Sequence, residues 1–209
     1  MSLWRYILTA PSLCLGERTK KGTYRASIEC CIPYSQITGA LRARYGTGQG
    51  HIHAVGLLTS FNRQAVMRGV RDRAAGLSTL PLEAEVLVNV KGTIYVAVNE
   101  YTTHLPTEID LEMGAFRSQG IGRCHLSRPV TQKPLPVTPT VQGRLAVRLP
   151  EAKAVLRLFG IEEVIMPIWG YLFEPDEQHV SGQYVRALFE GSIVHGPAML
   201  LGKEENDGQ

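Results

Sequence analysis

The clearest candidate for chemistry in this sequence is a glycine-rich run, GAFRSQGIGR, at residues 114–123. Its three glycines allow the backbone to approach a ligand closely and leave N–H groups free to meet phosphate oxygens. Two arginines add positive charge, a serine hydroxyl adds a hydrogen-bond donor, and a phenylalanine ring offers a face for stacking. The structural alternative is an ordinary glycine-rich bulge in a sheet. The candidate binding residues of this run are Gly114, Phe116, Arg117, Ser118, Gly120, Gly122 and Arg123.

A second candidate lies upstream, where CIPYSQITGALRAR at residues 31–44 combines a strand end, a proline corner and the start of a helix. Ser35 is the expected N-cap of that helix. A helix N-terminus with a hydroxyl cap attracts anions, because its first backbone N–H groups are unpaired. We predict that residues 35–44 and residues 114–123 form one continuous RNA-binding surface. The candidate residues here are Ser35, Gly39, Arg42 and Arg44.

The net charge of the chain is only +3, but its basic residues are concentrated in two stretches. Residues 42–73 hold six arginines against one aspartate, and residues 113–150 hold six basic residues and no acidic one. Such clustering on an otherwise acidic protein is typical of a local anion-binding surface. It is equally compatible with two solvated faces whose charges pair with acids elsewhere in the fold.

Motifs that would identify an enzyme do not occur: the sequence has no G-x-S-x-G elbow, no G-x-x-x-x-G-K-[ST] loop and no H-E-x-x-H pair. His51 and His53 would share one face of a strand, but no Cys, Asp or Glu close in sequence completes a metal site. The four cysteines form no C-x-x-C pair, so we expect them to be reduced and mostly buried. We therefore expect no metal and no cofactor. A histidine base for RNA cleavage also needs a partner and a cation at the phosphate. This alternative stays open, because histidines such as His125 lie near arginines in the sequence.

The 209-residue chain, with 44% hydrophobic and 20% charged residues, has the composition of a soluble globular protein. No apolar run reaches the roughly 18–20 residues that a membrane-spanning helix needs. The apolar N-terminal stretch is preceded by no basic region and is broken by Pro11. We therefore expect a cytoplasmic protein with no membrane partner.

Hydrophobic periodicity predicts the elements that must position the candidate residues. The run at 83–101 predicts a β-hairpin with a Lys91–Gly92 turn. The arginine-rich segment 62–74 predicts a basic helix, which we interpret as an element projecting toward RNA or a neighbouring subunit. The other predicted helices span 35–46 and 150–160, and the other predicted strands include 3–10, 27–32, 51–60 and 141–149.

This order of elements predicts an α+β protein, because there are too few helices to cover both faces of a parallel sheet. We divide the chain into an N-terminal unit at residues 1–128 and a second β-rich half at 141–209, packed on the first. Between them, three prolines in the last seven residues of the segment ending at 140 predict an extended crossing segment at 129–140.

The two candidate segments also resemble a known family. IPYSQITGALR is similar to the I-P-G-S-S-L-x-G-A-L-R segment of the RAMP proteins of CRISPR–Cas effector complexes, and GAFRSQGIGR is similar to their glycine-rich loop, commonly G-G-x-R-S-x-G-x-G. The motifs occur in the expected order, and the opening LTAPSLCLGERTKKGTY resembles the first strand and loop of type III members. The resemblance covers roughly residues 3–128, with Tyr34 and Ala115 standing where the family pattern has glycine.

The resemblance implies one or two ferredoxin-like, RRM-related βαββαβ units with a glycine-rich loop that holds a CRISPR RNA. It implies other effector subunits as protein partners and target nucleic acid as an indirect one. Within the family we favour the non-catalytic subunit that grips the 5′ handle of the guide in antiviral defence.

Three alternatives to this capping role stay open. A backbone subunit lining the guide would be expected to carry a catalytic aspartate, and no aspartate occurs between residues 1 and 71. A precursor-processing endoribonuclease usually has its glycine-rich loop near the C-terminus, whereas this loop lies mid-chain. Outside the family, the chain could be a protein-only structural subunit whose basic stretches face acidic neighbours.

Overall fold

The computed structural model describes residues 1–16, 24–45, 52–68, 82–175 and 182–202. Its sheets are almost entirely antiparallel and its helices are few and short, which confirms the predicted α+β class. The first elements are β1 (Ser2–Leu13), β2 (Tyr24–Arg25), β3 (Cys31–Ile32), α1 (Tyr34–Tyr45), β4 (Ala54–Arg68), β5 (Leu82–Ala97), β6 (Glu108–Glu112) and β7 (Arg123–Ser127). The others are β8 (Leu135–Pro136), β9 (Thr140–Arg144), β10 (Leu149–Pro150), α2 (Lys153–Leu158), β11 (Glu163–Met166), β12 (Trp169–Pro175), β13 (Gly182–Leu188) and β14 (Ile193–Pro197).

The main sheet has the strand order β3-β4-β5-β1-β7-β6, and every neighbouring pair in it is antiparallel. At its margins, β2 pairs in parallel with β5, and β8 pairs with β1. In the middle of β1, the even-numbered side chains from Tyr6 to Ala10 are buried, whereas the odd-numbered ones are exposed. Successive strand residues point to opposite faces, so this alternation defines one buried face of the sheet.

The helix α1 covers that buried face. Ile37 and Leu41, one turn apart, join the core cluster formed by the even-numbered residues of β1. Thr38 fixes the helix to β4, because its Oγ1 donates a hydrogen bond to the Ala54 carbonyl at 3.1 Å and accepts one from the Ala54 N–H at 3.0 Å. The helix predicted at 35–46 is thus found at Tyr34–Tyr45, and the prediction of Ser35 as its N-cap is wrong, because Ser35 is the second residue of the helix. In the described part of the chain, no helix is long and apolar enough to cross a membrane.

The predicted β-hairpin at 83–101 is wrong, because β5 continues as one strand through Lys91 and Gly92. These two residues pair with Thr9 and Leu8 of β1 in an unbroken register. Glycine at position 92 serves close strand packing rather than a turn, since a Cβ there would lie 2.6 Å from the Leu57 carbonyl oxygen of β4.

The basic helix predicted at 62–74 is also wrong over residues 62–68, which form the second half of β4. These residues pair with β5 in a regular antiparallel register, from Asn62 opposite Val88 to Met67 opposite Glu83. The segment has no apolar stripe at helical spacing, so pairing with β5, not local propensity, decides its conformation. Residues 69–74 lie outside the described residues.

The second half of the chain forms two small antiparallel sheets, ordered β10-β13-β12 and β11-β14-β9. One core cluster joins them to the main sheet, because Leu3 and Tyr95 pack in the same group as Phe159, Leu188 and Val194. The proline-rich segment between the halves contributes β8, and Thr138–Pro139 is a cis peptide bond.

Candidate nucleic-acid interface

The glycine-rich loop adopts a conformation that requires its glycines. Gly114 and Gly122 have φ values of +82° and +105°, a region that other residues rarely adopt. At Gly114 a Cβ would lie 2.6 Å from the Cys14 carbonyl oxygen, and at Gly122 it would collide with the Met113 carbonyl oxygen. Backbone hydrogen bonds from Ala115 to Cys14 and from Gly122 to Ser12, both 2.9 Å long, fasten the loop to the end of β1.

The loop and the first half of α1 line a single cleft of about 920 Å³, which we call the loop cleft. The two segments proposed from the sequence, more than 70 residues apart, therefore meet in space. A Cβ at Gly39 would have no atom within 4 Å, so the helix is open toward the cleft at this position. Six candidate residues line the loop cleft: Ser35, Gly39, Gly114, Phe116, Arg117 and Ser118.

One arginine, Arg117, lines the loop cleft. Arg117 is exposed at the start of a three-residue 3₁₀ turn, Arg117–Gln119. Within the described ranges, no carboxylate forms an ion pair with it. Glu112 lines the same cleft, but its carboxylate lies 3.7 Å from the Arg123 guanidinium. An anion entering the cleft would therefore meet a cation that forms no ion pair with the carboxylates of the described ranges.

The third wall of the loop cleft comes from the second half of the chain. Leu172 and Phe173 of β12 and Tyr184 of β13 line it opposite the loop and the helix. Our sequence analysis did not assign these residues to any site. The signal that could have found them is the alternation of aromatic residues in WGYLFEP at 169–175, which presents rings on one face of a strand.

A neighbouring cleft of about 860 Å³, which we call the arginine cleft, holds two further candidates, Arg44 and Arg123. Lys91 and His125 also line it, together with acidic residues of β6. The His125 Nδ1 atom lies 2.8 Å from the Asp110 carboxylate, and Arg123 pairs with Glu112 as described above. Two of the basic side chains of this cleft, Arg123 and His125, therefore face a carboxylate, whereas Arg44 and Lys91 form no ion pair within the described ranges. Gly120 and Gly122 line neither cleft.

Arg42 points inward instead of lining either cleft. Its Nε donates a hydrogen bond to the Ile52 carbonyl at 3.0 Å, and its Nη2 donates to the Tyr34 hydroxyl at 3.4 Å. That hydroxyl also lies 2.6 Å from His53 Nδ1. Burial raises the pKa of Tyr34 to about 12, and His53 is only 8% exposed. This network joins α1 to the start of β4, while His51 lies outside the described residues.

One group of possible metal ligands occurs in the described part of the chain. The donor atoms of Cys30, Cys31 and Glu190 lie within 4.8 Å of one another. Arg148 already donates two hydrogen bonds to the Glu190 carboxylate, at 2.6 and 2.7 Å. These bonds lower the pKa of Glu190 to about 2. Both carboxylate oxygens are therefore engaged by a cation, an arrangement that competes with a metal ion for them.

No protein-family model matches this sequence, and no curated protein matches it. Solved structures do. One chain of the cryo-EM structure of Type III-B Cmr-beta bound to cognate target RNA superposes with a TM-score of 0.59 and 12% identity, covering 92% of this chain and 86% of that one. A second structure of Type III-B Cmr-beta, bound to cognate target RNA and AMPPnP, gives a TM-score of 0.59, 11% identity and the same coverage. The chains share a fold.

Proposed function

We propose that this chain is a non-catalytic RNA-binding subunit of a CRISPR effector ribonucleoprotein and that it grips the 5′ handle of the guide RNA. The observation that carries the proposal is the loop cleft. Two sequence segments that resemble the RAMP motifs meet there, although they are far apart in the chain. The proposed partners are CRISPR RNA, other effector subunits and, indirectly, target nucleic acid.

The chemistry of the loop cleft suits a phosphate backbone. Gly39 leaves the helix surface open, Ser35 and Ser118 bring hydroxyl groups, and Arg117 brings a cation with no carboxylate partner among the described residues. Charge-assisted hydrogen bonds from arginine to phosphate are among the stronger polar contacts in proteins. Such contacts hold a strand without selecting its sequence.

The fold comparison supports the same proposal. The solved structure that this chain resembles, Type III-B Cmr-beta, is bound to cognate target RNA, which suggests RNA and further subunits as partners.

We also propose that the main sheet is a ferredoxin-like unit. Its strands β4, β5, β1 and β7 lie side by side, and α1 crosses from β1 to β4, as in the first half of such a unit. The capping role itself rests on the resemblance described for residues 3–128.

A ribonuclease is the second candidate function, and one observation favours it. His125 and Asp110 form a hydrogen-bonded pair in the arginine cleft, close to Arg123. A histidine held by a carboxylate beside a cation is an arrangement that general acid–base cleavage of RNA uses. We nevertheless propose a non-catalytic role, because the family motifs lie in the loop cleft and not at this pair.

Salt dependence of RNA binding tests the proposal. We expect the purified chain to bind single-stranded RNA of mixed sequence with a log–log salt slope of about −0.7 for each phosphate neutralised. Arg117→Ala should make the slope shallower by about one such contact, whereas Lys133→Ala, in the same basic stretch but outside both clefts, should leave it unchanged. A flat response to salt would instead favour a subunit that contacts protein only.

A further inference from the structure

Strands β12 and β13 present a row of aromatic side chains to solvent. Trp169, Tyr171 and Phe173 alternate along β12 and are 40%, 59% and 39% exposed. Across the ladder, Tyr184 of β13 pairs with Phe173 and is 50% exposed, and Arg186 pairs with Tyr171. Four large rings on one face of two strands are an unusual amount of apolar surface to leave uncovered in a protein of this size.

The rings are arranged in order along this face, which we call the aromatic face. Phe173 and Tyr184 meet edge to face, with ring centroids 5.4 Å apart. At the other end, the Arg186 guanidinium lies 3.9 Å from the centroid of the Trp169 ring. Same-face residues of a strand follow one another every ~6.8 Å. The most exposed ring, Tyr171, stands between the two ends.

The aromatic face continues into the loop cleft. Phe173 and Tyr184 belong to both, so a ligand leaving the cleft past Phe116 and Arg117 would meet these rings first and Tyr171 next. The aromatic face itself carries no carboxylate at its described positions and has one cation, Arg186. Because Arg186 also lies 3.3 Å from Glu151, this face offers a ligand its rings more than a net positive charge.

We propose that the aromatic face is a stacking platform for unpaired bases of a single-stranded RNA whose backbone lies in the loop cleft. This inference rests on the proposed function and adds to it the part of the RNA that the second half of the chain would bind. Stacking on aromatic rings tolerates any base, because every base has a π-face, and arginine adds a cation–π contribution. The loop cleft would then bind the phosphates of the RNA, and the aromatic face would bind its bases.

Continuity with the loop cleft favours RNA over a protein occupant of the aromatic face. A protein interface centred on these rings would need no connection to the loop cleft, whereas an RNA strand needs both a cationic channel and rings beside it. Tyr171 has a solvent-exposed ring and Arg186 lies at its cross-strand position, a combination that single-strand binding surfaces use.

The test compares intact RNA with an RNA of the same length that lacks bases. We expect Tyr171→Leu to weaken binding of intact single-stranded RNA by about 5- to 100-fold, since it keeps apolar volume but removes a stacking ring. With the base-free strand, parent and variant should bind within about twofold of each other. Tyr171→Phe keeps the ring and should bind intact RNA as the parent does. Tyr101→Leu, an exposed tyrosine elsewhere on the chain, is the matched control and should have no effect.

The outcomes separate this inference from the function on which it rests. A parent chain that binds neither RNA contradicts the proposed function and, with it, the stacking platform. If the parent binds both RNAs and Tyr171→Leu binds each of them with the same affinity as the parent, only the stacking platform is overturned. If Tyr171→Leu binds RNA as the parent does but no longer assembles with effector subunits, the aromatic face is a protein interface. That result would also overturn the stacking platform.

Discussion

The loop cleft and the arginine cleft lie side by side, and they differ in how their charges are compensated. In the arginine cleft, Arg123 lies 3.7 Å from Glu112, and His125 lies 2.8 Å from Asp110. In the loop cleft, Arg117 has no carboxylate partner among the described residues, and the other lining groups are glycine backbone, hydroxyl groups, aromatic rings and Glu112, whose carboxylate faces Arg123. Of the two arginines of the glycine-rich run, Arg117 is therefore better placed than Arg123 to bind an anion.

This contrast shows that a count of basic residues overstates a binding surface. Residues 113–150 contain six basic residues and no acidic one, yet the fold gives several of them internal partners. Arg148 is held by Glu190, and Arg128 lies 4.1 Å from the centroid of the Trp4 ring while its Nε donates to the Tyr6 hydroxyl. Charges that are already engaged contribute less to phosphate binding, because the ligand must compete with a partner that is in place.

The largest expected effect comes from a substitution that distorts the backbone of the glycine-rich loop. Gly114 and Gly120 have nearly equal φ values, +82° and +83°, but only at Gly114 would a Cβ meet backbone, 2.6 Å from the Cys14 carbonyl oxygen. We expect Gly114→Ala to lower the free energy of unfolding by about 3 kcal/mol, from backbone strain plus overpacking. Gly120→Ala, the matched control, should lose only the strain, about 1 kcal/mol. Urea denaturation measures both, and equal losses would show that the close approach to Cys14 is unimportant.

The second prediction compares one arginine from each cleft. Arg117→Ala should weaken binding of single-stranded RNA by about 2 kcal/mol, because it removes a charge-assisted contact to phosphate. Arg123→Ala should cost about 0.5 kcal/mol, since its guanidinium is exposed and already faces Glu112. Fluorescence anisotropy at fixed salt measures both affinities. A larger loss for Arg123→Ala would reverse the comparison and move the proposed RNA site to the arginine cleft.

The sequence predicted well those features that depend on local pattern. Alternation along β1 and helical spacing of Ile37 and Leu41 place both elements correctly. The surface predicted from residues 35–44 and 114–123 is found only in part: residues 35–39 and 114–118 line one cleft, Arg44 and Arg123 line the other, and Arg42 lines neither. Gly92 was misinterpreted because a single sequence does not distinguish a glycine in a turn from a glycine packed against the backbone carbonyl of a neighbouring strand.

The features that the sequence did not predict depend on contacts between distant residues. Arg148 and Glu190 are 42 positions apart, and Arg63 and Glu29 are 34 positions apart, so neither ion pair can be inferred from spacing. The aromatic wall of the loop cleft belongs to the other half of the chain. Its alternating rings were visible in the sequence, but which cavity they face depends on how the two halves pack.

The third prediction measures what an engaged arginine contributes. Hydrogen bonds from Arg148 lower the pKa of Glu190 to about 2 from its usual 4.5, so this pair stabilises the fold above pH 4.5 and the contribution is lost as the pH falls toward 2. Because the pair is partly exposed to solvent, we expect about 1 kcal/mol. Glu190→Gln should therefore lower the free energy of unfolding at about pH 6 but not at about pH 2.

The matched control for this third prediction is the more exposed pair of Glu151 and Arg186, which lies at 3.3 Å. Glu151→Gln should change stability by no more than about 0.5 kcal/mol at either pH. If Glu190→Gln were equally silent at about pH 6, the hydrogen bonds from Arg148 would not stabilise the fold, and the distinction between engaged and unengaged arginines would lose its energetic basis.

The last prediction concerns catalysis in the arginine cleft, where we expect no cleavage of RNA. Cleavage of RNA through its own 2′-hydroxyl needs a base, an acid and a cation at the phosphate, all positioned around one bond. His125 is bound to Asp110, whose side chain is 86% exposed, and no second histidine lines the described part of this cleft. We therefore expect no site-specific cleavage of labelled single-stranded RNA by the purified chain, with or without Mg²⁺, and no difference between the parent and His125→Ala. Cleavage at a defined site that His125→Ala abolishes would replace the non-catalytic proposal with a processing endoribonuclease, because it would assign the general base to this pair.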